Sequence, residues 1–202
     1  VIISQGWLFR LYAKSKSGTL IIGHHFTCLN KIASNSIGLI QPCVFNIATC
    51  GSKIQIGNNV GISGSTINAT TSVTIGNNVT TIKDRGIAGC NILSSILIGR
   101  GVTSIAETNF SDCDSITSII VDSGNTMYDS RNNCNAIIET TTNKLLLGCN
   151  NTVIPNTVEI IGVRALYNGK KITSIDIPNS VKAIESQAFC QCSNLKNVSF
   201  GN

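Results

Sequence analysis

Ile177-Pro178-Asn179-Ser180-Val181-Lys182-Ala183-Ile184-Glu185-Ser186-Gln187-Ala188-Phe189-Cys190-Gln191-Cys192-Ser193-Asn194-Leu195 reads as one turn of a coil. Just before it, Ile172-Thr173-Ser174-Ile175-Asp176-Ile177 alternates apolar and polar residues, as a strand with one buried face requires. Pro178-Asn179-Ser180 turns the chain, and Val181 and Ile184 re-enter the core. Ser186-Gln187-Ala188-Phe189 then predicts a short helical or 3₁₀ return, and Cys192-Ser193-Asn194 closes the coil.

The phrase recurs. Ile154-Pro155-Asn156-Thr157-Val158 parallels Ile177-Pro178-Asn179-Ser180-Val181, with Ile161 matching Ile184 and Leu166 matching Phe189. The offset between these copies equals the one from Leu93 to Ile116 and from Ile172 to Leu195. Ile98, Val102, Ile105, Phe110 and Cys113 match Ile177, Val181, Ile184, Phe189 and Cys192 at a single larger offset. A fixed period of this kind is the mark of a stacked repeat, in which each unit buries its apolar side only against its neighbours. Leu166-Tyr167-Asn168-Gly169-Lys170-Lys171 breaks the pattern where other copies carry Phe and Cys, so one face of that coil is expected to differ.

These phrases resemble the BspA-like leucine-rich repeats of bacterial cell-surface proteins over roughly residues 93–202. Val121 to Ile138 is similar to the longer repeat variant of that family. The resemblance implies surface or secreted adhesion, a protein or glycan ligand, and no catalytic constellation.

Upstream, the spacing is different. Ile56-Gly57-Asn58-Asn59-Val60 returns at a shorter offset as Ile75-Gly76-Asn77-Asn78-Val79, and Ile62 follows Ile56 at hexapeptide spacing. Leu20-Ile21-Ile22-Gly23-His24-His25-Phe26 is a weaker copy. Ile54 to Ile67 together with Val73 to Val79 resembles the hexapeptide-repeat O-acetyltransferases. That resemblance implies a left-handed parallel β-helix, a trimer through these coils, acetyl-CoA as donor, a cytoplasmic location and a catalytic His. Yet Thr80 to Gly89 supplies no imidazole, and no His follows His25. His24 and His25 fall at a turn, and Asp84 would act as a base only if strongly perturbed.

The expected fold is therefore mainly β: a left-handed parallel β-helix over residues 1–80, a junction at 81–92, and a leucine-rich-repeat solenoid over 93–202. The expected function is non-catalytic binding of a protein or glycan, with a sugar O-acetyltransferase as the alternative. No catalytic residue is assigned, cofactor-binding residues are unassigned, and no cofactor is expected outside that alternative. A third reading is a recombined reading frame, since the acetyltransferase pattern stops at Val79-Thr80, while the lack of an initiating Met at Val1-Ile2-Ile3 reads as a fragment.

Composition fits many short strands. Of 202 residues, 42% are hydrophobic but only 5% aromatic, so a core of stacked branched aliphatics is required. The net charge of +5 is spread without the dense basic stripe that tracks phosphates, which argues against a nucleic-acid partner. No apolar run approaches the length of a membrane span. Nine cysteines contain no Cys-x-x-Cys pair, the nearest being Cys190-x-Cys192, so no metal site is expected and the thiols read as small core residues.

Other features read as parts of turns. The Asn-x-Ser/Thr sequences at Asn68, Asn78, Asn109, Asn150 and Asn197 follow from an Asn- and Thr-rich chain, and Gly61 to Gly64 lacks a phosphate-loop Lys. Asp112, Asp114, Asp122 and Asp129 match no calcium-loop spacing and read as solvated corners. Trp7, Phe9 and Tyr12 with Arg10 and Lys14 are expected to cap the open end of the stack.

Overall fold

The computed structural model describes the backbone of residues 19–22 and 53–56, and residues 72–201 apart from 78, 83–86, 88–89, 108–109 and 111–112. The architecture is a β-solenoid, and a three-residue 3₁₀ turn at Arg131–Asn133 is the helical element among the described residues.

The first strand of each regular coil carries a four-residue phrase with branched residues at its second and fourth positions. β1 (Thr19–Ile22), β2 (Lys53–Ile56), β3 (Ser72–Ile75), β5 (Ser95–Ile98) and β7 (Ser118–Val121) lie side by side in one parallel sheet, in the order β1-β2-β3-β5-β7. In β3, β5 and β7 the second and fourth residues point inward and are buried, because successive side chains of a strand alternate faces. Lys53 pairs with Ser72, a shorter step along the chain than the equal steps that pair Ser72 with Ser95 and Ser95 with Ser118. Coils of different length therefore enter the same sheet in the same phase.

A second row of shorter strands runs beside the first. β4 (Thr81–Ile82) pairs with β6 (Ser104–Ile105) in parallel. The turn between the two rows is tight: a Cβ on Gly99 would lie 2.6 Å from the carbonyl oxygen of Ile75, and one on Gly101 would lie 2.0 Å from that of Asn77. Only glycine lets consecutive coils approach this closely. Polar ladders tie each coil to the previous one across a sequence separation of 23, as in Thr103 Oγ1 to the carbonyl of Thr80 and Thr117 Oγ1 to that of Ser94, both 3.3 Å.

Inside, equivalent positions form columns. Ile75 stacks under Ile98 and Val121, Val79 under Val102, Ile87 under Phe110, Cys90 under Cys113, and Leu93 under Ile116, all in one buried cluster. The span 72–93 thus belongs to a full coil with the same period as its successors. The second Ile-Gly-Asn-Asn-Val phrase is the strand and turn of that coil, and the span expected as a junction, 81–92, contributes Ile82, Ile87 and Cys90 to the core. Each of these columns repeats at one constant period, so the repeat reaches upstream at least to Ser72, well beyond the boundary expected at residue 93. Of the left-handed β-helix expected for residues 1–80, the stretch from Ser72 onward lies in this coil, and the side chains upstream of residue 72 are outside the described residues.

Between β7 and the next regular coil the chain makes a detour. β8 (Tyr128–Asp129), β9 (Ile137–Glu139) and β10 (Lys144–Leu147) form an antiparallel unit, and β10 then pairs in parallel with β11 (Ile160–Ile161), which pairs with β13 (Ala183–Ile184). Asn125 starts the detour. Its Nδ2 donates to the carbonyls of Gly99 and Val102, and its Oδ1 accepts from the N–H groups of Met127 and Tyr128. All its polar capacity is used, which is what a buried Asn requires. On β9, Ile137 joins the first core cluster and Ile138 the second, so adjacent residues of one strand bind the two cores together.

The last coil pairs β12 (Ser174–Ile177) with β14 (Asn197–Phe200) in parallel, one period apart. Here the return segment differs from expectation. Residues 186–191 are turns, not a helix: Gln187 and Gln191 take positive φ of 60° and 63°, matched one unit earlier by Arg164 and Asn168 at 55° and 62°. Such angles interrupt any helix. The amides of Arg164, Leu166 and Asn168 instead donate to the carbonyls of Ser186, Ala188 and Cys190 on the next coil. The backbone on this side is satisfied between coils.

Candidate binding surface

The outward face of the parallel sheet is the candidate surface. Along β5 and β7 the outward positions are Leu97 and Ile120, register partners on adjacent strands, 38% and 53% exposed. Thr74 on β3 pairs with Leu97 and continues the row, while Ser72, Ser95 and Ser118 form a parallel row of hydroxyl side chains. A rigid sheet positions these side chains, because their inward neighbours Ile96, Ile98, Ile119 and Val121 are locked in the core. Two adjacent large aliphatics in solvent on such a face are poor for a monomer and good for a docking partner.

The sequence held a signal for this pair that the repeat reading passed over. β12 reads Ile175-Asp176-Ile177, apolar, polar, apolar, but β5 and β7 read Ile96-Leu97-Ile98 and Ile119-Ile120-Val121 without a polar break. In a strand with one core-facing side, the middle residue of such a run must face outward.

The residues weighed for chemistry do not assemble into a catalytic group among the described residues. His24, His25, Asp84, Asp112, Trp7, Phe9 and Tyr12 lie outside them, as do most residues of the coils through which a trimer was expected. The described aspartates are not bare solvated corners. Asp114 accepts from Asn168 Nδ2 and from Lys170 Nζ at 2.8 Å, Asp122 accepts from the Gly124 amide at 2.8 Å, and Asp129 pairs with Arg131 at 2.7 Å. Each fastens a turn that the spacing alone left open to solvent. Asn150 likewise serves a turn: its Nδ2 donates to the carbonyls of Asp114 and Ile116. Among the described residues no group of three or more His, Cys, Asp or Glu is placed to hold a metal ion, and no helix is long and apolar enough to cross a membrane.

The thiols follow their surroundings. Cys90, Cys113, Cys134 and Cys149 are buried, and Cys190 is exposed. Burial pushes the Cys134 and Cys149 thiols above their ordinary range. Cys113 Sγ donates to the Ile87 carbonyl and Cys192 Sγ to the Leu166 carbonyl, each reaching the coil below. In the coil that departs from the pattern, Gly169 stands one unit before Cys192, and its neighbour Asn168 is buried.

Ion pairs join coils over longer distances. Lys144 Nζ sits 3.2 Å from Glu107 and 2.7 Å from Glu185, bridging two coils through the β9–β10 unit. Burial alone would lower the Lys144 pKa, but hydrogen bonds and charges from Glu185 and Glu107 outweigh it and hold the ammonium above its ordinary value.

Comparison with known proteins places this geometry. The family described as "BspA type Leucine rich repeat region" matches in six copies, over residues 65–147 and 132–202, more than half of the chain. The match begins upstream of β3, in agreement with the coil at 72–93. Among solved structures, a leucine rich cell surface protein from Faecalibacterium prausnitzii is similar at 19% identity and a TM-score of 0.51, over 78% of this chain and 56% of that one. The pneumococcal vaccine antigen PcpA is similar at 10% identity and a TM-score of 0.52, over 77% of this chain and 52% of that one. At these identities the likeness is one of fold, and the chain spans about half the length of each. No curated protein matches the sequence.

Proposed function

Because the chain belongs to the BspA-type leucine-rich repeat family, we propose that it is a non-catalytic binding module that takes a protein partner on the outward face of its parallel sheet. The observation that carries this reading is the exposed pair Leu97 and Ile120 on adjacent, rigidly backed strands. Desolvating two such side chains against a complementary surface supplies the apolar centre that protein interfaces share, and the flanking Ser and Thr rows supply a polar rim. A surface or secreted setting fits this role, since the structurally similar proteins are described as a cell surface protein and a vaccine antigen.

The test is a binding screen of the whole chain against an array of purified extracellular-matrix proteins and mucins, repeated with Leu97→Glu plus Ile120→Glu. The double variant is expected to lose at least tenfold in affinity for any protein the wild type binds, while its thermal unfolding stays within a few degrees. Unchanged binding by the variant would remove the sheet face from the function.

A further inference from the structure

Asn168-Gly169 is the one Asn-Gly dipeptide of the chain, and it lies where the repeat pattern is broken. In a flexible peptide this pair is chemically labile. The Gly amide nitrogen attacks the Asn Cγ carbon, ammonia leaves, and the resulting five-membered succinimide takes up water to give aspartate or isoaspartate. Glycine makes the attack easy, because no Cβ crowds the nitrogen.

The fold both demands this pair and restrains it. Asn168 sits at a φ of 62°, which Asn tolerates better than most residues, and its Nδ2 donates to Asp114 Oδ1. A Cβ on Gly169 would lie 2.5 Å from Cδ1 of the buried Ile172 and 3.2 Å from the Leu166 carbonyl oxygen, so a larger residue there displaces the core. The same turn blocks the reaction. Ring closure needs the Gly169 nitrogen on the same side of the Asn168 Cα–C bond as Cβ. In the left-handed region ψ is about +30 to +60°, which sets that nitrogen opposite Cβ. Backbone bonds hold the turn: the Asn168 N–H donates to the Cys190 carbonyl at 2.8 Å, the Gly169 N–H to that of Leu166 at 3.3 Å, and the Lys170 N–H to that of Asn168 at 2.8 Å.

This corner is closed but imperfectly packed. A cavity of about 30 Å³ adjoins it, and Asn168 Oδ1, itself shut off from solvent, has no hydrogen-bond partner among the described residues. Both lower the cost of opening it, relative to a corner whose polar atoms are all paired. Once the amide is hydrolysed, the corner does not re-form. An aspartate at this position brings acceptors alone, one of them against Asp114 Oδ1 and the other where Oδ1 already lacks a donor. Facing it are Asp114, Lys170, Tyr167, Cys113 and Cys149. Lys170 Nζ is held 2.8 Å from Asp114 Oδ2, and one ammonium does not balance two carboxylates. Isoaspartate adds a methylene to the backbone and so moves the amides of this turn off their acceptors.

We propose that Asn168 is a modification site gated by the fold: its deamidation waits for this corner to open, and the product then holds the corner open. Leu97 and Ile120 take no part, so the inference stands whether or not the sheet face binds a protein.

The test is peptide mapping by mass spectrometry of the full chain at pH 8, beside a synthetic peptide of residues 165–172. Asn168 in the folded chain is expected to lose ammonia at least about a hundredfold more slowly than in the peptide, and faster as urea is added below the unfolding midpoint. The deamidated chain, separated by ion exchange, is expected to unfold at a lower urea midpoint than its parent. Asn168→Asp is expected to reproduce that loss, and adding Asp114→Asn to recover part of it, because the pair then again holds one amide and one carboxylate. A folded-state rate equal to that of the peptide, an unchanged midpoint after deamidation, or a double variant no more stable than Asn168→Asp would overturn the proposal. The rate and the first midpoint are measured on the unaltered sequence, so they decide even where the variants fail to fold.

Discussion

Ile98 and Phe200 occupy the same place in the repeat, the last residue of a coil's first strand, yet one is fully buried and the other is 66% exposed. The coil holding Ile98 has a neighbour on each side, β3 below and β7 above, whereas β14 pairs with β12 alone among the described strands. The contrast extends along the columns: Val102 is fully buried where Val181 is partly so, and Ile96 is buried where Val198 is 45% exposed. In a solenoid, burial belongs to the stacking partner more than to the residue, and stability is a sum of coil interfaces.

The largest test of that contrast is a pair of truncations. Ile98→Ala removes a side chain enclosed on all sides and is expected to cost about 2–5 kcal/mol, whereas Phe200→Ala, on a strand with one described neighbour, is expected to cost under about 1 kcal/mol in this chain despite the larger deletion. Urea unfolding of the two variants measures the difference; equal costs would mean that a strand paired on one side is packed as tightly as one paired on both.

A second test concerns what joins the two cores. Lys144→Met keeps most of the side-chain length and removes the bridge between Glu107 and Glu185, at an expected cost of about 1 kcal/mol for a network whose carboxylates remain partly in solvent. The folded state holds the Lys144 pKa above its ordinary value. Its contribution is therefore fully present below the unfolded pKa of about 10.4 and is lost as the pH rises through the higher folded value. The buried thiols, also raised, add an alkaline loss that starts at lower pH and is common to both proteins. The difference between variant and wild type in urea midpoint should thus shrink only above about pH 10. A difference that vanishes between pH 7 and 9 would contradict the assignment to Lys144.

The smallest effect compares thiols. Among the described cysteines, iodoacetamide at pH 8 is expected to label the exposed Cys190 first, while Cys90, Cys113, Cys134 and Cys149 react only on unfolding. Site-resolved mass spectrometry reads this directly, and Cys134 labelling as fast as Cys190 would place that thiol outside the core.

Much of this architecture was legible in the chain itself. The constant spacing that carries Ile154 onto Ile177 marked the coil, and the alternation in Ile172 to Ile177 marked its strand. The upstream boundary was misplaced because Ile75-Gly76-Asn77-Asn78-Val79 fits two repeat patterns equally well when taken as a single short phrase. Only its onward matches, Ile82 to Ile105, Ile87 to Phe110 and Cys90 to Cys113, separate them. The helical return was wrongly expected because Ser-Gln-Ala-Phe has no helix breaker, and the left-handed angles at Gln187 and Gln191 are imposed by hydrogen bonds to the neighbouring coil. The anomaly at Leu166 to Lys171 was visible as a departure, though not as a cavity.

By itself the sequence determined the period, the identity of the inward-facing residues and the places where the pattern fails, since these follow from local alternation and turn chemistry. Tertiary structure alone decided that coils of different length share one sheet, because parallel pairing depends on where each strand starts and not on the length of the return. It also decided which inward residues are truly buried, which requires a coil on both sides. And it brought Asp114 to Asn168 from distant parts of the chain, leaving one amide oxygen without a donor.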